Sequence, residues 1–416
     1  MSRLIINGKR RISGEIVTQG AKNAALPILA ASVLAGEECV IHNCPRLRDV
    51  DKTNQVLSGL GCEVRREGNT VVVDPAGICS CSICDNLMRA MRSSIIFLGA
   101  ILARCGEACV SMPGGCPIGI RPIDLHLKAL REMGAEIREE HGCILCGAKR
   151  LHGADIHLDF PSVGATENIM LAAVTAKGTT TISNAAREPE IADLAAFLNA
   201  MGARIRGAGG SFITVEGREK LHGAEHSVMP DRIAAATYLA AAAVTRGEIL
   251  LTGADERSMG AMLHTLTDMG ARIRTEGDKI RLKADKRLKN ISILRTMPYP
   301  GFPTDIQSPF MALAATAEGT GVFVETIFEN RFRHVEELIR MGADISVCGR
   351  SAVVRGTEEL HGARVSASEL RGGAALVIAA LGAEGRSEID GACYIDRGYE
   401  AIEERLAECN ADIRRI

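Results

Sequence analysis

Apolar and polar positions along this 416-residue chain recur with a period near seventy residues. One motif is an Ala-rich apolar segment, then a glycine, then a β-branched run. It appears as L-A-G-E-E-C-V-I from Leu34, A-K-G-T-T-T-I from Ala176 and T-R-G-E-I-L-L from Thr245. Its glycines are Gly36, Gly106, Gly178, Gly247, Gly319 and Gly385. A second motif, M-G-A-x-I, lies between them at Met133, Met201, Met269 and Met341, with weaker copies at Leu60 and Cys409. Its central residues are Gly61, Gly134, Gly202, Gly270, Gly342 and Asn410, at steps of 73, 68, 68, 72 and 68. Each motif reads as a helix that ends on a residue suited to the left-handed conformation, followed at once by a strand. With the extra strands N-T-V-V-V after Gly68 and S-F-I-T-V after Gly210, one unit reads β-α-β-α-β-β. Six such units predict an α/β fold, grouped as three plus three into two domains.

Composition agrees with a large buried core: 46% of the residues are hydrophobic, and the length allows two or three domains of roughly 150 residues. The most apolar run, about Ile233 to Val244, is far short of the ~20 residues of a membrane span. The first ten residues, M-S-R-L-I-I-N-G-K-R, hold no apolar run of signal-peptide length. The expectation is an intracellular, cytoplasmic chain without membrane attachment. A net charge of -2, 3% aromatics and no tryptophan offer neither a basic surface nor stacking platforms for nucleic acid. The fourteen cysteines read as reduced thiols in a chain this long without an export signal. The spacings of Cys79, Cys81 and Cys84, and of Cys143 and Cys146, are permissible for zinc. Small core-filling thiols are the simpler reading, and the chain also uses cysteine at Cys39, Cys62, Cys105 and Cys109.

Three stretches stand apart from the repeat. In G-A-K-N-A-A-L-P, from Gly20, Lys22 and Asn23 precede an apolar helix. A lysine there opposes the helix dipole unless an anion is present, although a solvated lysine beside an Asn cap would look the same. In M-P-G-G-C-P-I-G-I-R-P, Met112 to Pro122, three glycines and three prolines exclude helix and inner strand. That loop carries the thiol of Cys116 and the guanidinium of Arg121, which reads either as a reactive cysteine beside a cation or as a surface cysteine of no consequence. In Y-P-G-F-P-T-D-I-Q-S-P-F, from Tyr299, Asp305 is either the N-cap of the following helix or a general base fixed by prolines. Arg92, Arg371 and Arg397 are read as opening the first helices of their units, as Lys22 does. Cations at equivalent repeat positions suit a polyanionic ligand. No P-loop, dinucleotide fingerprint, H-E-x-x-H or nucleophile elbow occurs.

Together these motifs resemble a known family. G-A-K-N-A-A-L-P, M-P-G-G-C-x-I-G-x-R-P-x-D-L-H, S-V-G-A-T, N-A-A-R-E-P-E-I, P-D-R-I, F-P-T-D-x-Q, F-E-N-R-F and I-D-R-G-Y-E are similar, in that order, to the UDP-N-acetylglucosamine enolpyruvyl transferases. The resemblance implies an inside-out α/β barrel of the enolpyruvyl transferase type. It implies one domain over residues 22–229 and a discontinuous second over 1–21 and 230–416. The implied site is a cleft between them, lidded by the Cys116 loop.

The implied reaction moves the enolpyruvyl group of phosphoenolpyruvate to the 3-hydroxyl of UDP-N-acetylglucosamine and releases phosphate, the first committed step of peptidoglycan synthesis. It uses no cofactor and no metal. By the same resemblance, Lys22, Asn23, Arg121, Arg371 and Arg397 would hold phosphoenolpyruvate. Arg92, Arg121, Pro122, Ile123, Asp124, Leu125, Ser162, Val163, Gly164, Asp305 and Ile327 would hold the UDP-sugar. Asp305 would accept the hydroxyl proton, Cys116 would protonate the methylene carbon or assist product release, and Lys22 and Arg397 would complete the catalytic set. The cysteine implies the fosfomycin-sensitive type. One departure is Phe160-Pro161, where other members carry a basic residue that contacts the diphosphate. Two other readings are the shikimate-pathway sister enzyme, which lacks the G-G-C lid motif, and a non-catalytic binding protein on the same scaffold.

Overall fold

The computed structural model describes residues 2–112 and 123–416, apart from the side chains of Arg89, Ala90 and Arg92. The Ala-rich segments form helices Lys22–Ala31, Phe97–Cys105, Val163–Ala173, Arg232–Val244, Thr304–Ala314 and Leu370–Gly382. These helices are apolar on every side because they are enclosed on every side. In Arg232–Val244 each residue except Val244 is buried, so no polar face is called for. A second set, Arg48–Leu60, Asp124–Glu132, Pro189–Ala200, Gly260–Asp268, Val335–Arg340 and Ile402–Glu408, keeps exposed residues on one side.

Among the described residues, the chain divides into one compact unit over 20–229 and another over 2–19 and 230–416. Each has its own apolar core. In the second unit the helices Arg232–Val244, Thr304–Ala314 and Leu370–Gly382 pack against one another.

Among the described residues every sheet has four strands in one pattern. An edge strand, of two or three residues in all sheets but that of Ser13–Val17, runs parallel to its neighbour, and the other two pairings are antiparallel. In the first unit the orders are Glu225–Ser227, Cys39–His42, Thr70–Asp74, Glu63–Glu67; Ser82–Ile83, Glu107–Ser111, Cys143–Gly147, Glu136–Glu140; and Asp155–His157, Thr179–Ser183, Phe212–Glu216, Arg204–Arg206. The second unit repeats this three times, and two of its sheets use the start of the chain. Ser13–Val17 runs parallel to Glu248–Thr252, and Arg3–Asn7 lies between Arg386–Asp390 and Asp412–Arg415. Strands such as Thr179–Ser183 and Phe212–Glu216 bury alternate residues, which turns one face to the helices.

The second helices end as the repeat predicts. Gly61, Gly134, Gly202, Gly270, Gly342 and Asn410 have φ of 102°, 92°, 96°, 103°, 93° and 71°. At three of them a histidine ring from an L-H-G run covers the glycine. A Cβ on Gly134 would lie 2.7 Å from His152 Nε2, on Gly202 3.1 Å from His222 Nε2, and on Gly342 3.3 Å from His361 Cδ2. Of the first helices, only Phe97–Cys105 ends directly on its motif glycine; Val163–Ala173, Thr304–Ala314 and Leu370–Gly382 stop short of Gly178, Gly319 and Gly385, which keep positive φ, and two others depart further. The helix from Lys22 closes through a 3-10 turn, Ser32–Leu34, before Gly36. Near residue 247 the left-handed residue is Arg246, with φ of 54°. Gly247 is needed there for close approach, since a Cβ would meet Ile12 O at 2.2 Å.

Gly270→Ala meets no atom within 4 Å, so it should cost backbone strain alone, about 1–2 kcal/mol. Gly134→Ala must also displace His152 and should cost more. Urea midpoints of the two variants decide this, and equal losses would remove the ring from the account.

Candidate active site

Several of the expected site residues lie in or beside the first turns of the buried helices: Lys22, Asn23, Ser162 to Gly164, Asp305 and Arg371. In the unit over 20–229, Lys22 begins its helix with no side-chain cap before it. Its ammonium is nearly buried and lies 2.7 Å from Asp49 Oδ2, whose side chain is 1% exposed. The anion expected near this lysine is therefore supplied in part by the chain itself. Breaking such a pair would leave one charge desolvated.

Ser162 caps the helix Val163–Ala173, its Oγ accepting the Ala165 N–H at 3.3 Å. Asn168, two turns along, ties three segments together. Its Oδ1 accepts the Gly99 N–H at 2.7 Å, and its Nδ2 donates to Ile95 O at 2.9 Å and to His126 Nδ1 at 2.7 Å. That orientation makes Nδ1 an acceptor, so the neutral ring carries its proton on Nε2. Burial pushes the His126 imidazole down to about 4, against a small opposing pull from Asp124. The ring also abuts Gly164, where a Cβ would sit 3.1 Å from Cε1. The three segments tied are those that carry Arg92, Ile123 to Leu125, and Ser162 to Gly164. Ile123, Leu125 and Val163 pack against the core, while Asp124 is exposed.

In the unit over 2–19 and 230–416, the N-cap reading of Asp305 is overturned. The cap position is Pro303, and no side chain caps this helix. The carboxylate instead faces two buried guanidinium groups: Oδ1 is 3.1 Å from Arg331 Nη2, and Oδ2 is 3.1 Å from Arg371 Nη2. Arg331 also donates to Thr304 O at 3.1 Å. Arg371 Nη1 donates to Tyr399 Oη at 3.2 Å, which is 2.9 Å from Thr237 Oγ1. Burial works against the charge on Arg371, but Asp305, Tyr399 and Asp231 together more than offset it, and the guanidinium is held above its ordinary pKa. Glu369 caps this helix through the Arg371 and Gly372 N–H groups.

Arg397 does not open a first helix. It lies in the turn between Ala392–Ile395 and Ile402–Glu408, next to Arg371, since a Cβ on neighbouring Gly398 would be 3.4 Å from Arg371 Nη1. The cation that opens the first helix at the missing repeat position is Arg232. It is buried, with its guanidinium 5.5 Å from the Tyr299 ring centre. The spacing from Lys22 through Arg92 and Val163 to Arg232 was the signal that marks it. Ile327 N–H is held by Glu325 Oε1 at 2.8 Å. Asn23 lies in the first turn of its helix. Cys116, Arg121 and Pro122 lie outside the described residues, as does the Arg92 side chain.

Among the described residues, Glu359, His361 and Glu384 are the one group whose donor atoms converge as metal ligands would. The Lys9 ammonium already pairs with both glutamates, and His361 is the ring that covers Gly342, so the repeat explains the group without a metal. The cysteine runs form no such group. Cys39, Cys62, Cys146 and Cys409 are buried thiols pushed by burial up to about 11. Cys105 is not a core residue as expected; with Cys79, Cys84 and Cys348 it is exposed.

A family model described as EPSP synthase (3-phosphoshikimate 1-carboxyvinyltransferase) matches residues 6–406. The solved enolpyruvyl transferase NikO from Streptomyces tendae superposes with a TM-score of 0.91 at 26% identity, covering 100% of this chain and 98% of that one. EPSP synthase from Acinetobacter baumannii gives 0.75 at 19% identity with both chains fully covered, a likeness of fold alone. A protein of Caldanaerobacter subterraneus subsp. tengcongensis named UDP-N-acetylglucosamine 1-carboxyvinyltransferase 2 is 53% identical over 416 residues, 100% of each chain. The chain belongs to the enolpyruvyl transferase family, on the branch of the UDP-N-acetylglucosamine 1-carboxyvinyltransferases.

His126 and His334 are both buried and both pushed down to about 4 by burial, whereas an unfolded imidazole titrates near 6.5. Between those values the unfolded chain binds more protons. Stability should therefore be unaffected by these groups above pH ~6.5, fall as pH drops to ~4, and level off below, at up to about 3 kcal/mol per ring. His126→Gln keeps an acceptor for Asn168 and should flatten part of that slope in urea unfolding measured against pH. An unchanged slope would show that folding does not lower the proton affinity of His126.

Proposed function

We propose that this chain transfers the enolpyruvyl group of phosphoenolpyruvate to the 3-hydroxyl of UDP-N-acetylglucosamine and releases phosphate, the first committed step of peptidoglycan synthesis. The observation that carries this reading is the Asp305 carboxylate, which caps nothing and stands at a helix start between two buried arginines, in a chain matching its named relative end to end. The cytoplasm is the compartment that goes with it, because both substrates are intracellular metabolites.

In this reading the sugar hydroxyl attacks C2 of phosphoenolpyruvate while its proton passes to Asp305. C3 takes a proton from an acid, the role assigned to the Cys116 thiol. The tetrahedral adduct then loses a proton from that methyl carbon, and the C–O bond to phosphate breaks, restoring the enol ether. Lys22, Asn23, Arg121, Arg371 and Arg397 hold the phosphate and carboxylate of phosphoenolpyruvate. Guanidinium groups suit both oxyanions because they bind in a bidentate fork. The UDP-sugar is assigned to Arg92, the segment Arg121 to Leu125, Ser162 to Gly164, and Ile327. For Asp305 to accept a proton, one arginine must turn to another anion, and the phosphoenolpyruvate carboxylate offers that exchange to Arg371.

Phosphate release from phosphoenolpyruvate should require UDP-N-acetylglucosamine. Release with shikimate 3-phosphate instead would assign the sister activity, and release with neither would leave a binding protein. Asp305→Ala should lower kcat by roughly 10²–10⁴-fold with a smaller effect on UDP-sugar affinity; near-normal turnover would remove it as the base.

An epoxide such as fosfomycin should inactivate the enzyme through Cys116, although Cys79, Cys84, Cys105 and Cys348 are also exposed. Mass spectrometry locates the adduct. Cys116→Asp should resist the epoxide yet keep activity, since a carboxylic acid still donates a proton. Full activity in Cys116→Ala would take the thiol out of the mechanism.

A further inference from the structure

A second carboxylate stands behind Asp305, and the chemistry above makes no use of it. Glu325 follows the strand Thr320–Val324 and is 1% exposed. Its Oε2 accepts the Thr304 hydroxyl at 2.9 Å. Its Oε1 accepts the N–H of Ile327 at 2.8 Å and of Phe328 at 3.1 Å. Three donors therefore converge on one buried acceptor-only group, the arrangement that makes a desolvated carboxylate tolerable.

The same loop returns to the same helix start. Arg331 donates through Nη2 to Thr304 O and to Asp305 Oδ1, both at 3.1 Å, and its guanidinium lies 5.7 Å from the Phe328 ring centre. Between the two ends, Thr326 is pinned to Thr296, its N–H donating to Oγ1 at 2.9 Å and its hydroxyl to the carbonyl at 2.5 Å. The loop from Glu325 to Arg331 thus grips Thr304 and Asp305 from both ends. Ile327 sits inside the closed circuit.

We infer that Glu325 is a positioning residue that fixes the Asp305 carboxylate relative to the Ile327 backbone, and so aligns the base with the sugar hydroxyl. The inference rests on the proposed function, in which Asp305 takes the proton and Ile327 helps to hold the UDP-sugar. A loose base costs rate because proton transfer needs the reacting atoms within hydrogen-bond reach. The two arms of Glu325 have separable consequences. The Thr304 arm bears on the base, and the Ile327–Phe328 arm bears on sugar binding.

The test is steady-state phosphate release with phosphoenolpyruvate and UDP-N-acetylglucosamine, with thermal melting of each variant. Thr304→Val removes one arm only. It should lower kcat about tenfold and change KM for the UDP-sugar less than twofold, and Thr304→Ser should restore kcat. Glu325→Ala removes both arms, and should lower kcat and raise that KM about tenfold. Glu325→Gln, with one acceptor oxygen left, should fall between. A lowered melting temperature with wild-type kcat and KM in folded Thr304→Val and Glu325→Ala would reduce Glu325 to a structural brace and overturn the inference alone. Loss of activity in Thr304→Val that Thr304→Ser does not restore would also overturn it. Absence of turnover in the unaltered enzyme would sink the proposed function, and this assignment with it.

Discussion

Six helices enclosed along their length impose the constraint on which the rest depends. A buried helix satisfies its own amide groups everywhere except at its ends. Its interior positions take mostly alanine and aliphatic residues, a polar one such as Asn168 is tied by internal hydrogen bonds, and unpaired N–H groups remain in the first turn. There the unpaired N–H groups and the positive end of the dipole favour anions. The seventy-residue repeat then places one such turn after another, at Lys22, Arg92, Ser162, Arg232, Thr304 and Arg371. Each unit thus holds three helix starts suited to an anion, and packing alone sets them before any residue is chosen for catalysis.

Charge at those turns is balanced locally. Lys22 meets Asp49, Asp305 meets Arg331 and Arg371, and Glu369 caps the helix that carries Arg371. A desolvated charge without a partner would cost several kcal/mol, so an unliganded site of this type must pair its ions with one another. Under the proposed function, ligand binding would be an exchange of partners. Its net energy is the difference between two sets of ion pairs and not the sum of the new contacts.

The architecture was legible because it is written in local rules. A residue that tolerates positive φ recurs at each second helix end, and a β-branched run follows it. Lys22 and Asp305 were visible for the same reason, as polar residues beside an apolar helix. Their partners were not. Asp49 lies in the next helix, and Arg331 lies one strand and one loop beyond Asp305, where nothing in the intervening residues announces the contact. Arg232 could have been found by carrying the period of Lys22 forward, whereas Arg397 looked equivalent and was not, because the last unit inserts Ala392–Ile395 before its second helix. The choice between cap and ion pair at Asp305 depends on residues 26 and 66 positions away, which no local pattern encodes.

The strand Arg3–Asn7 lies between Arg386–Asp390 and Asp412–Arg415, and this has a consequence for how the molecule is made. As the chain leaves the ribosome, that strand has no partner until Arg386–Asp390 has been synthesised. The intervening unit over 20–229 is contiguous and complete far earlier, so it can fold while the flanking unit waits open for its final strand. The order of assembly runs from the inserted unit outward, and Arg3–Asn7 is paired only after that unit is complete.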